Sequence, residues 1–131
     1  MALNTMIKLV CGKSRAGKTT FSKRYDDVVH LDNCGGVLTC YEKAIDKIKD
    51  VENVILEGVY DTKERRLNLL ESRSKDEFKT CIWIDTQKEI IRKRHSENFK
   101  YLADKDFEPP TLDEGWSEII RITEYIRDDE K

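Results

Sequence analysis

The chain has 131 residues, enough for one compact domain, and its charges nearly cancel: 24 Lys and Arg against 26 Asp and Glu, a net of −2. Charged residues make up 38% of it, yet the near-zero net excludes a uniformly basic protein that coats nucleic acid, so any such contact needs a local patch. No apolar stretch approaches the roughly 18 residues of a membrane-spanning helix, and the first five residues lack the basic region of a secretory signal.

Short apolar runs alternate with helical segments along the chain. Met6 to Cys11 reads as a buried strand ending at Gly12, and a helix is predicted from Lys18 to about Tyr25. Val28 to Leu31 reads as a second strand, closed by Asp32 and the Gly35-Gly36 turn. Thr39 and Glu42 have capping-box spacing, followed by Tyr41, Ala44, Ile45 and Ile48 on one helical stripe. Val54 to Leu56 is a third strand, ending at Glu57-Gly58. Thr62 is placed to cap a helix to about Ser72, with Leu67 and Leu70 inward. Cys81 to Ile84 is a fourth strand ending at Asp85. Thr86 and Glu89 then have capping-box spacing for a helix to about Phe99, whose basic half from Arg92 to His95 is expected to leave the core. After the Pro109-Pro110 break, Ile119 to Ile126 fits a fifth strand better than a helix. Continuously apolar strands alternating with helices imply a parallel sheet covered on both faces, with polar residues gathered beyond the strand ends.

The cysteines Cys11, Cys34, Cys40 and Cys81 form no C-x-x-C pair. They read as reduced thiols of a cytoplasmic protein rather than zinc ligands, with Cys11 and Cys81 as small buried hydrophobes.

Gly12-Lys13-Ser14-Arg15-Ala16-Gly17-Lys18-Thr19 matches the phosphate-binding pattern G-x-x-x-x-G-K-[ST] in full. It stands between an apolar strand and a helix, where the chemistry needs it. Glycines let the backbone curl with its N–H groups turned inward as an anion cradle, and Lys18 is placed to reach the β- and γ-phosphates. The Thr19 hydroxyl belongs in the shell of Mg²⁺, and Thr20 extends the cradle. A nucleoside triphosphate, ATP with Mg²⁺, is the expected ligand of residues 12–20. No N-K-x-D guanine motif is present.

Four segments resemble the polynucleotide-kinase-like group of P-loop kinases: Leu9 to Phe21; Val28-Val29-His30-Leu31-Asp32; Val54 to Gly58 with Thr62-Lys63-Glu64-Arg65-Arg66; and Glu108-Pro109-Pro110 to Glu114-Gly115-Trp116. The resemblance implies an α/β P-loop NTPase fold, a three-layer α/β/α sandwich on a parallel sheet of about five strands. It implies one kinase domain over 1–131 with a lid around 92–110. It also implies an ATP-dependent phosphotransferase acting on the 5′-hydroxyl of a polynucleotide. A small metabolite or nucleoside as acceptor is the first rival reading, and a non-catalytic nucleotide-binding protein the second. The sequence departs from that group in having Val59-Tyr60 after Glu57-Gly58, Gly35 where phage members carry an arginine, and Asn98 where a second lid arginine is common.

On this reading Asp32 is the general base toward the acceptor hydroxyl, and Glu57 joins the Mg²⁺ shell or touches the acceptor. Arg94, with Arg92 as its substitute, closes over the transferring group. Arg65 contacts the acceptor, Arg66 is open between that role and a helix surface, and His95 reads as a surface residue. Trp83 reads as core, and Trp116 either wedges the adenine or closes the core.

Overall fold

The computed structural model describes residues 5–30 and 38–123, the side chains of 38 and 39 excepted. Asp32, Cys34 and Gly35 therefore lie outside the described residues, as does Ile126.

Five parallel strands form one sheet: β1 (Met6–Gly12), β2 (Val28–His30), β3 (Asn53–Gly58), β4 (Phe78–Ile84) and β5 (Glu118–Ile122). Their order is β2-β3-β1-β4-β5. β1 lies at the centre, in register with β3 on one side (Leu9 opposite Leu56) and β4 on the other (Leu9 opposite Cys81). The fifth apolar run is a strand, as expected, because its residues pair with β4 from Thr80–Glu118 to Ile84–Ile122.

Alternate residues of β1 face opposite layers. Ile7, Leu9 and Cys11 enter a core with Tyr41, Ala44 and Ile48 of α2 (Leu38–Ile48), and with Leu69 and Leu70 of α3 (Lys63–Glu71). Val10 enters a second core with Phe21 of α1 (Lys18–Ser22), Ile91 of α4 (Lys88–Arg94) and Ala103. The sheet is thus covered on both faces, and the chain crosses from one layer to the other around β1. In such sheets the crevice beyond the strand ends at this crossing holds ligands.

Several local expectations change. α2 begins at Leu38, so Thr39 stands inside the helix rather than at its cap. Thr62 does cap α3, accepting from Arg65 N at 3.2 Å. The buried face of α3 is Arg66, Leu69 and Leu70, while Leu67 is only half-buried. α1 ends at Ser22 and α4 at Arg94, each shorter than its periodicity suggested; a 3-10 segment, Glu97–Asp104, continues from α4. Cys11 and Cys81 are buried free thiols, but Cys40 is disulfide-bonded, against the expectation of reduced thiols. Among the described residues no helix is long and apolar enough to cross a membrane.

Candidate active site

The loop between β1 and α1 is held in its shape by contacts that leave little freedom. Gly12 has φ 156, and a Cβ there would meet Ile84 O of β4 at 2.6 Å, so only glycine lets the two strand ends come this close. Gly17 takes φ 109 to enter α1, and Arg15 sits in the left-handed region at φ 66. Ala16, fully buried, plugs the loop into the second core.

Four side chains tie the loop to its surroundings. Thr86 Oγ1 donates to Ala16 O at 2.6 Å. Thr86 therefore serves the loop, and Gln87, not Thr86, stands at the α4 N-cap. Arg94 Nη1 donates to Arg15 O at 2.8 Å, and Lys13 Nζ to Ala103 O at 3.0 Å. His95 is buried at 7% exposure and hydrogen-bonds the Ser14 backbone, so it is not the surface residue that the basic run suggested. Desolvation, aided by the charges of Arg15 and Lys18, lowers its pKa against the raising effect of Ser14, which favours neutral imidazole.

A cavity of about 340 Å³ opens on the loop, lined by Ser14, Arg15, Gly17, Lys18, Thr19, Thr20, Glu57 and Val59. Lys18 is buried, with Nζ donating to Lys13 O at 2.7 Å. Thr19 Oγ1 donates to Glu57 Oε1 at 3.0 Å, which joins the two residues expected around Mg²⁺. Glu57 is fully buried at the end of β3, and His30 pairs with its other oxygen, Oε2.

The donor set fits a nucleotide-borne Mg²⁺. One hydroxyl and one carboxylate stand together, and among the described residues no cluster of three or more His, Cys, Asp or Glu could hold a metal unaided. Mg²⁺ retains waters and commonly takes one or two carboxylates plus substrate phosphates.

A second cavity, about 330 Å³, shares Ser14 and Val59 with the first. Its wall carries Arg65, which donates to Asp61 at 2.5 Å and lies 4.6 Å over the Tyr41 ring. Tyr101, Leu102 and Phe107 line it on the side of the 3-10 segment.

The remaining expected site residues fall elsewhere. Gly12 and Ala16 shape the loop from below, and Lys13 points its amine toward Ala103. Arg92 pairs with Asp104 at 2.6 Å, with both side chains partly exposed, and does not line the loop cavity. Arg66 is fully buried, donating to Glu114 Oε1 at 2.8 Å and Oε2 at 3.2 Å and to Tyr60 O at 2.7 Å. Trp116 is buried in the core with Nε1 on Glu114 Oε1 at 3.1 Å, so it closes the core instead of lining either cavity. Trp83 is half-buried, stacked on Phe107 at 5.9 Å between centroids.

No protein-family model matches the chain, and no curated protein does. Solved structures do. A gluconokinase from Sinorhizobium meliloti 1021 superposes with a TM-score of 0.69 over 92% of this chain and 83% of that one, at 12% identity. A sugar kinase from Janibacter sp. HTCC2649 gives 0.69 over 91% and 85%, at 14% identity. The fold is that of a P-loop NTPase. At 12–14% identity the architecture alone is what is shared.

Proposed function

We propose that this chain is an ATP-dependent phosphotransferase that moves the γ-phosphoryl group to a hydroxyl of a small metabolite. One observation carries the reading: the loop cavity and a second, separate cavity of about 330 Å³ meet at Ser14 and Val59. A phosphate held by the loop and a hydroxyl held in the second cavity would adjoin across that shared rim. The similarity to a gluconokinase and a sugar kinase supports a small acceptor. So does the wall itself, where Arg65 and Asp61 set a donor beside an acceptor among the rings of Tyr41, Tyr101 and Phe107, a suitable surface for a hydroxyl-rich molecule.

Phosphoryl transfer relies on positioning and charge neutralisation more than on covalent help. Lys18 swings from Lys13 O to the β- and γ-phosphates. Thr19 and Glu57 would hold Mg²⁺, which would supply neutralisation of charge on the phosphate oxygens. Arg94, already anchored beside Arg15, adds positive charge from a lid around 92–110. Asp32, two residues beyond the end of β2 in sequence, accepts the acceptor's hydroxyl proton. The hydroxyl oxygen bonds to Pγ as the bond to the bridging oxygen breaks, and ADP leaves.

The 5′-hydroxyl of a polynucleotide is the second reading. The four-segment resemblance supports it, and so do the exposed Tyr101 and neighbouring Phe107, on which a terminal base could stack. Against it, the Glu114-Gly115-Trp116 ending supports the core and faces neither cavity.

The test is transfer of labelled γ-phosphate to a panel of sugars, sugar acids, nucleosides and 5′-hydroxyl oligonucleotides. Labelled small products are expected; label on oligonucleotides alone overturns the small-acceptor reading. Asp32→Asn should keep ATP affinity and lose about 10²- to 10⁴-fold in turnover. ATP binding with no transfer to any acceptor would leave a non-catalytic nucleotide binder.

A further inference from the structure

We propose that His30 is a positioning residue that aims the Glu57 carboxylate at the Mg²⁺ of the bound nucleotide. The inference rests on reading the loop as a nucleotide·Mg²⁺ site, and it is independent of the acceptor.

The sheet itself brings the pair together. His30 is the last residue of β2, and its register partner on β3 is Glu57. Parallel neighbours at strand ends direct their side chains toward the same rim, so the imidazole meets the carboxylate without any loop having to fold over it. An ionised carboxylate only accepts hydrogen bonds, so Nδ1–H of His30 donates to Oε2. Oε1 is then left to Thr19, whose hydroxyl donates to it at 3.0 Å. With each oxygen engaged by a different partner, the plane of the carboxylate is set.

Two further observations assign His30 this role in preference to a packing one. Its side chain is 43% exposed, while Glu57 is fully buried, so His30 does not fill the core. A buried carboxylate, by contrast, needs hydrogen-bond donors to offset its desolvation. Among the described residues no group of three or more acidic, histidine or cysteine side chains could hold a metal ion by itself. Where a carboxylate meets the metal its orientation governs affinity, and loss of a partner that orients a ligand typically weakens binding about 10- to 100-fold.

The experiment is a titration of a fluorescent ADP analogue onto the full chain, in EDTA and across a Mg²⁺ series, with thermal melting as the check on folding. His30→Ala should raise the Mg²⁺ concentration needed for half of the metal-dependent gain about tenfold, with affinity in EDTA close to that of the parent. His30→Asn, whose amide N–H reaches nearly where Nδ1–H stood, should restore most of the loss. His30→Gln, which carries its donor farther out, should not, and it decides the point if the alanine variant does not fold. In the Glu57→Gln background, His30→Ala should add nothing further. An unchanged Mg²⁺ midpoint in both His30→Ala and His30→Gln overturns the proposal. Equal weakening in EDTA and in Mg²⁺ overturns it as well, since that is the mark of a purely structural residue. A parent whose nucleotide affinity ignores Mg²⁺ does the same. A parent that binds Mg²⁺ with nucleotide yet phosphorylates no small acceptor leaves this inference standing and overturns the proposed function instead.

Discussion

Gly12 shows how closely single residues control the site. Replacing it with alanine sets a Cβ 2.6 Å from Ile84 O, a backbone atom that cannot swing aside, and asks an L-residue to adopt φ 156. Strain of this kind costs about 1–3 kcal/mol, so Gly12→Ala should lower the urea midpoint and weaken nucleotide binding together. Equal binding by the variant, measured by calorimetry, would contradict the close approach of β1 and β4. Tyr60 works in the opposite direction. It follows β3 at φ 41, is fully buried, and its hydroxyl has no hydrogen-bond partner among the described residues. An unsatisfied buried hydroxyl is a net cost, so Tyr60→Phe should match or exceed the parent's stability by up to about 1 kcal/mol; a clear loss in chemical denaturation would reveal a partner for that hydroxyl. The glycine was legible in the sequence because the eight-residue motif names it. Tyr60 and His30 were not, because their roles depend on which strand lies beside which.

The elements differ in how far local pattern determines them. β1, β3 and β4 were legible because central parallel strands are apolar on both faces, leaving unbroken runs such as Val54-Ile55-Leu56 and Cys81-Ile82-Trp83-Ile84. The helices were less so. The Thr86 and Glu89 spacing resembles a capping box, but the Thr86 hydroxyl is already committed to Ala16 O, 70 residues away in sequence. Thr86→Val, nearly the same shape, leaves that carbonyl short of a donor; it should cost about 1–3 kcal/mol and weaken ATP binding, and intact binding would mean the loop holds its shape without α4. On α3 the helical stripe was read from leucines, whereas Arg66 is as fully buried as Leu69. That arginine is held by Glu114, from one of the segments that carried the resemblance to polynucleotide kinases. Glu114→Ala strands a fully buried guanidinium and should cost about 3–5 kcal/mol, read from the denaturation midpoint. A surface-like loss below about 1 kcal/mol would contradict that burial.

At the scale of the whole molecule, balanced charge conceals an uneven layout, and the uneven parts set the response to acid. Glu114 is buried, which raises its carboxyl pKa, yet the hydrogen bonds of Arg66 and Trp116 and the Arg66 charge prevail and hold it below the usual range. Its stabilisation is present above the unfolded-state value of about 4.3 and is lost as pH falls through the folded value. His95 also titrates lower in the fold, through desolvation and the charges of Arg15 and Lys18. The unfolded chain takes up that proton first, so stability falls once pH drops below about 6.5. Denaturation midpoints should therefore decline in two stages on acidification. Glu114→Gln should flatten the lower stage and His95→Asn the upper; a profile unchanged in both variants would contradict these assignments. The second cavity, which meets the loop cavity at Ser14 and Val59, was not legible in the sequence, because it draws on α2, α3 and the 3-10 segment at once.

The most direct test of the account follows ATP, Mg²⁺ and the best small acceptor of the panel by phosphorus NMR in the presence of the full chain. Loss of the γ-phosphate signal is expected, with equal growth of ADP and of one new phosphomonoester. Release of inorganic phosphate alone, or an ATP spectrum that does not change although nucleotide is bound, would contradict it.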